Sequence, residues 1–164
     1  MTKHTANRQA KEEAEDCAKL ASLSRIRQGF DEYAKRLPRE MPLSLIEVPA
    51  PRHHQDSAKV DGYEAKKIAE KIKPSDWVVA MDEAGRQLDS KGISAELFRW
   101  REMGRDVVFL IGGANGLSSD LLDRADQRLS LSALTFPHYM VRVLLAECLY
   151  RAWTINIGHP YHRE

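Results

Sequence analysis

The chain has 164 residues, with 25 Lys plus Arg against 24 Asp plus Glu. That length predicts one domain around a single core, and the charge balance excludes bulk electrostatic attraction to nucleic acid, so an RNA partner must be met by a local patch. Cys17 and Cys148 stand far apart without CxxC spacing, which excludes a disulfide framework or zinc site; with no apolar run near the ~20 residues of a membrane span and a charged N-terminus lacking a signal core, the expectation is a cytoplasmic protein with no membrane partner.

Residues 1–24 (MTKHTANRQAKEEAEDCAKLASLS) carry only a thin stripe of Ala10, Ala14, Cys17, Ala18 and Ala21 beside Glu12, Glu13, Glu15 and Asp16. They read as a polar segment, helical or disordered, set apart from a domain over residues 25–164. Phe30, Tyr33, Ala34 and Leu37 then recur at helical spacing until Pro38. Leu43 to Val48 alternates as a strand, and Pro49 and Pro51 punctuate its end. A helix is expected from about Ala58 to Ile72, with Ala65, Ile68, Ala69 and Ile72 inward and Pro74 as its stop. Trp77 to Asp82 reads as a short apolar strand, and Ser94 as the cap of a helix that Gly104 closes.

Val107 to Ile111 is apolar throughout and ends in Gly112-Gly113 and Gly116, the pattern of a strand buried on both faces. Ser118, Ser119 and Asp120 open a helix whose inward positions are Leu121, Leu122 and Ala125. Leu129 to Phe136 repeats the design, a short strand and then a loop that opens a last helix at Pro137, over about residues 138–153. In that helix Glu147 and Arg151 form an i,i+4 pair, and Cys148 reads as a buried free thiol. The alternation of strands and helices predicts an α/β fold with a mostly parallel sheet.

In open α/β sheets ligands bind at the carboxyl ends of the strands. Glycines there let main-chain N–H groups approach a ligand, so two such loops side by side can form a pocket from backbone. Gly112-Gly113-x-x-Gly116 is neither a Walker loop nor a dinucleotide fingerprint, and a plain tight turn is its structural alternative. Asp82 and Glu83 at a strand end have the chemistry of general bases, or are solvated turn residues. His53-His54 lacks a partner at metal spacing, so no metal site is expected. Arg151, His159, Tyr161, His162 and Arg163 cluster near the C-terminus; guanidinium, imidazole and phenol suit phosphate and base contacts on RNA, or make a merely soluble tail.

LIGGANGLS (110–118), LSLSALTFPH (129–138), VRVLLAECLYRAW (141–153) and HPYHRE (159–164) together resemble the RlmH family. These are small bacterial methyltransferases of large-subunit ribosomal RNA within the SPOUT superfamily, and the resemblance extends back through RxxGRD (101–106) and GFDEYAKRLP (29–38). It implies a parallel sheet with helices on both faces and a C-terminal trefoil knot, an exception to the usual topology rules. It also implies a homodimer, S-adenosylmethionine as methyl donor without a metal, and methylation at N3 of a pseudouridine in 23S rRNA of the assembled ribosome. Carried over by position, Met81, Gly112, Gly113, Leu131, Ser132, Ala133, Leu134, Thr135 and Phe136 would hold the cofactor. His138, Arg151, Tyr161, His162 and Arg163 match the catalytic and RNA-side positions. In that reading Arg151 or Arg163 stabilises a developing anion and His162 takes the imide proton. One departure stands out: family members begin with a short hydrophobic strand where this chain has its charged segment. Either another element covers the sheet or a central strand is absent, which would expose strand edges; a non-catalytic ribosome-binding protein of the same fold is the corresponding alternative.

Overall fold

A computed structural model describes residues 23–48, 57–113 and 115–162. Its sheet has three strands, β1 (Trp77–Gln87), β2 (Val107–Ile111) and β3 (Gln127–Ser130), all parallel and in the order β2-β1-β3. Parallel neighbours need crossovers, and these are α3 (Ser90–Glu102) between β1 and β2 and α4 (Ser119–Arg124) between β2 and β3. Ahead of the sheet lie α1, described over residues 23–34, and α2 (Ser57–Ala69). The chain closes with α5 (His138–Asn156).

The two faces follow from the period of the central strand. Val79 points to one side, into a core with Leu97 and Trp100 of α3, Leu129 of β3, and Leu145, Leu149 and Ala152 of α5. Val78 points to the other, against Leu110, Leu121 of α4, and Ala65 and Ile68 of α2. Val78, Val79 and Ala80 are fully buried, as a strand covered on both faces requires. Trp100 meets Phe109 edge-on at 5.4 Å, and its Nε1 donates to Gln127 Oε1 at 3.1 Å, so this large ring is both packed and satisfied. Helix α1 packs on α5, where the rings of Tyr33 and Tyr150 meet tilted at 6.2 Å and a Cβ on Gly29 would sit 3.4 Å from Val143.

Three expectations are corrected. Residues 43–48 form no regular element and belong to no ladder among the described residues. Their alternation records one-sided burial instead: Met41 and Leu43 pack on the core while Ile46 is 65% exposed. Ser94 is not a cap, because Asp89 takes that role by accepting from Gly92 N at 2.7 Å. Ser94 sits a turn inside α3, where its hydroxyl donates to Asn156 Oδ1 at 2.6 Å and ties α3 to α5. The strand predicted to stop at Asp82 continues to Gln87. Met81 and Arg86 both pair with Leu129, so Asp82 to Gly85 stand out from the ladder as a bulge. Gly85 is needed there, since a Cβ would lie 2.6 Å from the Leu129 carbonyl carbon. The Leu129–Phe136 run is, as expected, a short strand followed by a loop, with pairing ending at Ser130. Beyond it Ser130 Oγ donates to the Ser132 carbonyl and Leu134 N donates to Ser132 Oγ, both at 2.9 Å, so serines satisfy the backbone where a partner strand is lacking.

The segment 1–24 falls, up to residue 22, outside the described residues, while residues 23 and 24 belong to α1. No helix among the described residues is long and apolar enough to cross a membrane.

Candidate functional site

The carboxyl ends of β1, β2 and β3 open onto a cavity of about 860 Å³. Its floor is Met81, Gly112 and Gly113; its walls are Leu131, Ser132, Leu134, Thr135, Phe136 and His138. Every residue expected at a cofactor site is therefore on this cavity except Ala133, which is exposed beside it. Asp82, Glu83, Ile111, Asn115, Gly116, Leu117 and Tyr139 line it as well. Their signal in the sequence was adjacency to the strand ends, which the β1 bulge and the glycine turn convert into a wall.

The glycine turn is built by steric necessity. Gly116 adopts φ 79°, and its N–H donates to the Gly113 carbonyl at 3.1 Å. A Cβ on Gly112 would lie 2.3 Å from the Gly116 carbonyl carbon, so the turn closes only around a bare backbone. Leu134, 71% exposed, caps the opposite rim from the serine-braced loop. Asp82 and Glu83 bring carboxylates to the wall, and no Lys or Arg is among the described lining residues. Such a pocket suits a ligand held by main chain and apolar contact, and it favours one carrying positive charge.

A second cluster forms at the far end of α5. Glu147 Oε1 accepts from Arg151 Nη2 at 2.6 Å and Nε at 2.9 Å, and from the Tyr161 hydroxyl at 3.2 Å. The Tyr161 ring rests edge-on against Tyr150 at 4.8 Å. Gly158, at φ 67°, turns the tail back, and His159 N donates to the Thr154 carbonyl at 2.8 Å. Arg36 lies over the rings of Tyr33 and Tyr150 at 5.7 and 5.8 Å. Hydrogen bonds to Glu147 hold the Arg151 guanidinium above its usual value. Burial first, then hydrogen bonding with Tyr33 and the Glu147 charge, push the Tyr161 phenol up to about 12. Burial, then Glu147, also raises the free thiol of Cys148, which is half-buried rather than fully enclosed.

The catalytic residues expected from the sequence are thus divided. His138 is on the cavity, whereas Arg151, Tyr161 and His162 are not among the lining residues. At ~1.5 Å of rise per residue, Arg151 lies about 20 Å along α5 from His138. Arg163, His53 and His54 fall outside the described residues. Among the described residues, no group of three or more His, Cys, Asp or Glu is placed to hold a metal ion.

A family model described as "Predicted SPOUT methyltransferase" matches residues 17–162. The chain is similar to proteins named ribosomal RNA large subunit methyltransferase H. That of Hahella chejuensis is 50% identical over 141 residues, covering 85% of this chain and 90% of that protein. That of Paraburkholderia phymatum is 51% identical over 140 residues, covering 84% and 90%. That of Ectopseudomonas mendocina is 41% identical over the same lengths.

Proposed function

The chain belongs to the SPOUT methyltransferase family, and from that premise we propose that it methylates large-subunit (23S) ribosomal RNA with S-adenosylmethionine as donor, at N3 of a pseudouridine in the assembled ribosome. The observation that carries this reading is the cavity at the strand ends, walled by glycine backbone, apolar side chains and two carboxylates. Its residues fit the donor: main chain at Gly112, Gly113 and residues 131–136 suits the adenosine, and Asp82 and Glu83 suit the cationic portion. When bound, the donor supplies a methyl group on a positively charged sulfur.

The protein's own work is alignment and proton handling. The nucleophilic ring nitrogen carries an imide proton that must leave before or during attack. The cavity residues would hold the donor, whose methyl group could then be set in line with the ring nitrogen. An arginine beside the base stabilises the anion that forms, a role that suits Arg151 or Arg163. His162 is the proton acceptor in this scheme, since the free ring nitrogen of a neutral imidazole can take up the imide proton. With its phenol pushed up to about 12, Tyr161 remains a hydrogen-bond donor at working pH and is not the acceptor.

Arg151 and Tyr161 are not among the residues that line their own cavity, so the chain is taken to act as a homodimer in which each cavity meets the α5 end and tail of the second copy. The ribosome, as substrate, makes the cytoplasm its place of action. The reading of a non-catalytic ribosome-binding protein gains no support from the relatives, which carry a methyltransferase name.

Transfer of labelled methyl groups to ribosomes tests both the activity and its shared site. Gly112→Ala, which blocks the cavity, and Arg151→Ala, which empties the far cluster, are each expected to be inactive alone. Mixed and re-associated in equal amounts, they should regain about a quarter of wild-type activity, because half the dimers then carry one complete site. No regain would overturn the shared site, and a wild-type protein that labels no ribosomes would overturn the function.

A further inference from the structure

Glu147 holds two groups that reach it by different routes. Arg151 comes from the next turn of the same rigid helix, and Tyr161 from the tail, fourteen positions away. Both use the same carboxylate oxygen, Oε1, which also receives the Arg151 Nε. The side chain of Glu147 is 17% exposed against 41% for Arg151, so the anchor is the more enclosed member of the pair. An ordinary i,i+4 surface pair contributes only a few tenths of a kcal/mol and recruits no third partner. Here the partly shielded carboxylate forms charge-assisted bonds, which are shorter and stronger than neutral ones. The rest of the tail supports the same geometry. Gly158 reverses the chain, His159 N bonds back to Thr154, and Tyr161 N donates to His159 Nδ1 at 3.1 Å. Those bonds curl the tail, but the contacts described between its side chains and α5 are those of Tyr161, through its ring on Tyr150 and its hydroxyl on Glu147.

We propose that Glu147 is a positioning residue that locks Arg151 and the Tyr161-His162 tail into one unit presented to the ribosomal RNA. It touches none of the reacting atoms. It rests on the proposed function, because the unit matters to catalysis only if Arg151 and the tail meet the substrate.

The test uses the full-length dimer and the variants Glu147→Gln, Glu147→Ala, Arg151→Lys and Tyr161→Phe. Tyrosine labelled at Cζ reports the ionisation of Tyr161 by NMR, assigned by its loss in Tyr161→Phe. In the wild type this resonance should remain that of a neutral phenol through pH 11, whereas in Glu147→Ala it should begin to titrate at lower pH, by the part of the rise that Glu147 adds to burial and the Tyr33 hydrogen bond. Glu147→Ala should lower kcat/KM for ribosomes about tenfold, the scale of one lost charge-assisted contact. Affinity for S-adenosylmethionine should stay within about twofold, because the cavity lies at the other end of α5. Glu147→Gln keeps an acceptor for the phenol without the charge and should fall between the two. An unchanged Tyr161 titration in Glu147→Ala, or a displaced titration with unchanged turnover of ribosomes, would overturn the proposal. Should Glu147→Ala fail to fold, Glu147→Gln carries the same comparison. If Arg151→Lys and Tyr161→Phe also leave ribosome turnover untouched, the RNA-side role of this cluster falls and the proposal with it. If those two impair turnover and the Glu147 variants do not, only the positioning role fails.

Discussion

Gly112 and Gly113 are neighbours with the same residue type and opposite tolerance. A Cβ at Gly112 would collide with the Gly116 backbone at 2.3 Å, whereas one at Gly113 would meet only the flexible carboxylate of Glu64 at 3.4 Å. Gly112→Ala should therefore weaken S-adenosylmethionine binding at least about tenfold by calorimetry, and Gly113→Ala much less, because backbone cannot yield as a side-chain tip can. The sequence marks the pair as a turn; which of the two is indispensable depends on a contact with Gly116 that periodicity does not encode. The tail makes a second residue-scale prediction. Tyr161 has a folded value of about 12, above its ordinary 10. Its contribution to stability is therefore complete below pH 10 and lost as pH rises through 12. The thermal midpoint should fall across that window more steeply in the wild type than in Tyr161→Phe.

Among the elements, α3 and α5 show where local signals end and tertiary contacts decide. Both Asp89 and Ser94 are good cap residues by type. The first caps the helix, and the second is drawn inside it by the hydrogen bond to Asn156 on α5, a partner 62 positions away. Asp89→Ala should cost about 1 kcal/mol in urea unfolding. Trp100→Ala, which removes a ring 2% exposed between Phe109 and the α5 core, should cost about 3–5 kcal/mol. Reversal of that order would mean the α3–α5 contact is not the main tie between the helices and the sheet. The strand Val107–Ile111 was legible because five apolar residues ending in glycine have few other uses. The alternation at residues 43–48 misled because one-sided burial and strand pairing leave the same pattern in a sequence.

For the molecule as a whole, fold class and the edge that carries the cavity were readable, since alternating strands and helices force a parallel sheet with loops at its carboxyl ends. The trefoil knot follows from membership of the SPOUT family; it depends on the order in which the chain is threaded, a property no local period records. The division between the cavity and the Glu147 cluster was not readable either, because it needs the length of α5 as well as its amphipathic face. On the proposed shared site a complete centre requires two copies, and sedimentation should then give a mass of two chains that persists on dilution to micromolar concentration. At higher concentration the outer edge of β2, unpaired among the described residues, should add concentration-dependent association beyond the dimer, visible as rising light scattering.

The excursion at Asp82–Gly85 leaves Leu129 and returns to it. Its length is therefore decoupled from the sheet: residues can be gained or lost there without sliding β1 past β3, provided the glycine that crosses Leu129 is kept. It is a stretch beside the cavity where the entrance can be reshaped while the strands stay still. For the experimenter the same property makes Ala84, exposed and off the cavity wall, an attachment point for an environment-sensitive fluorophore, one that would report ligand entry in solution.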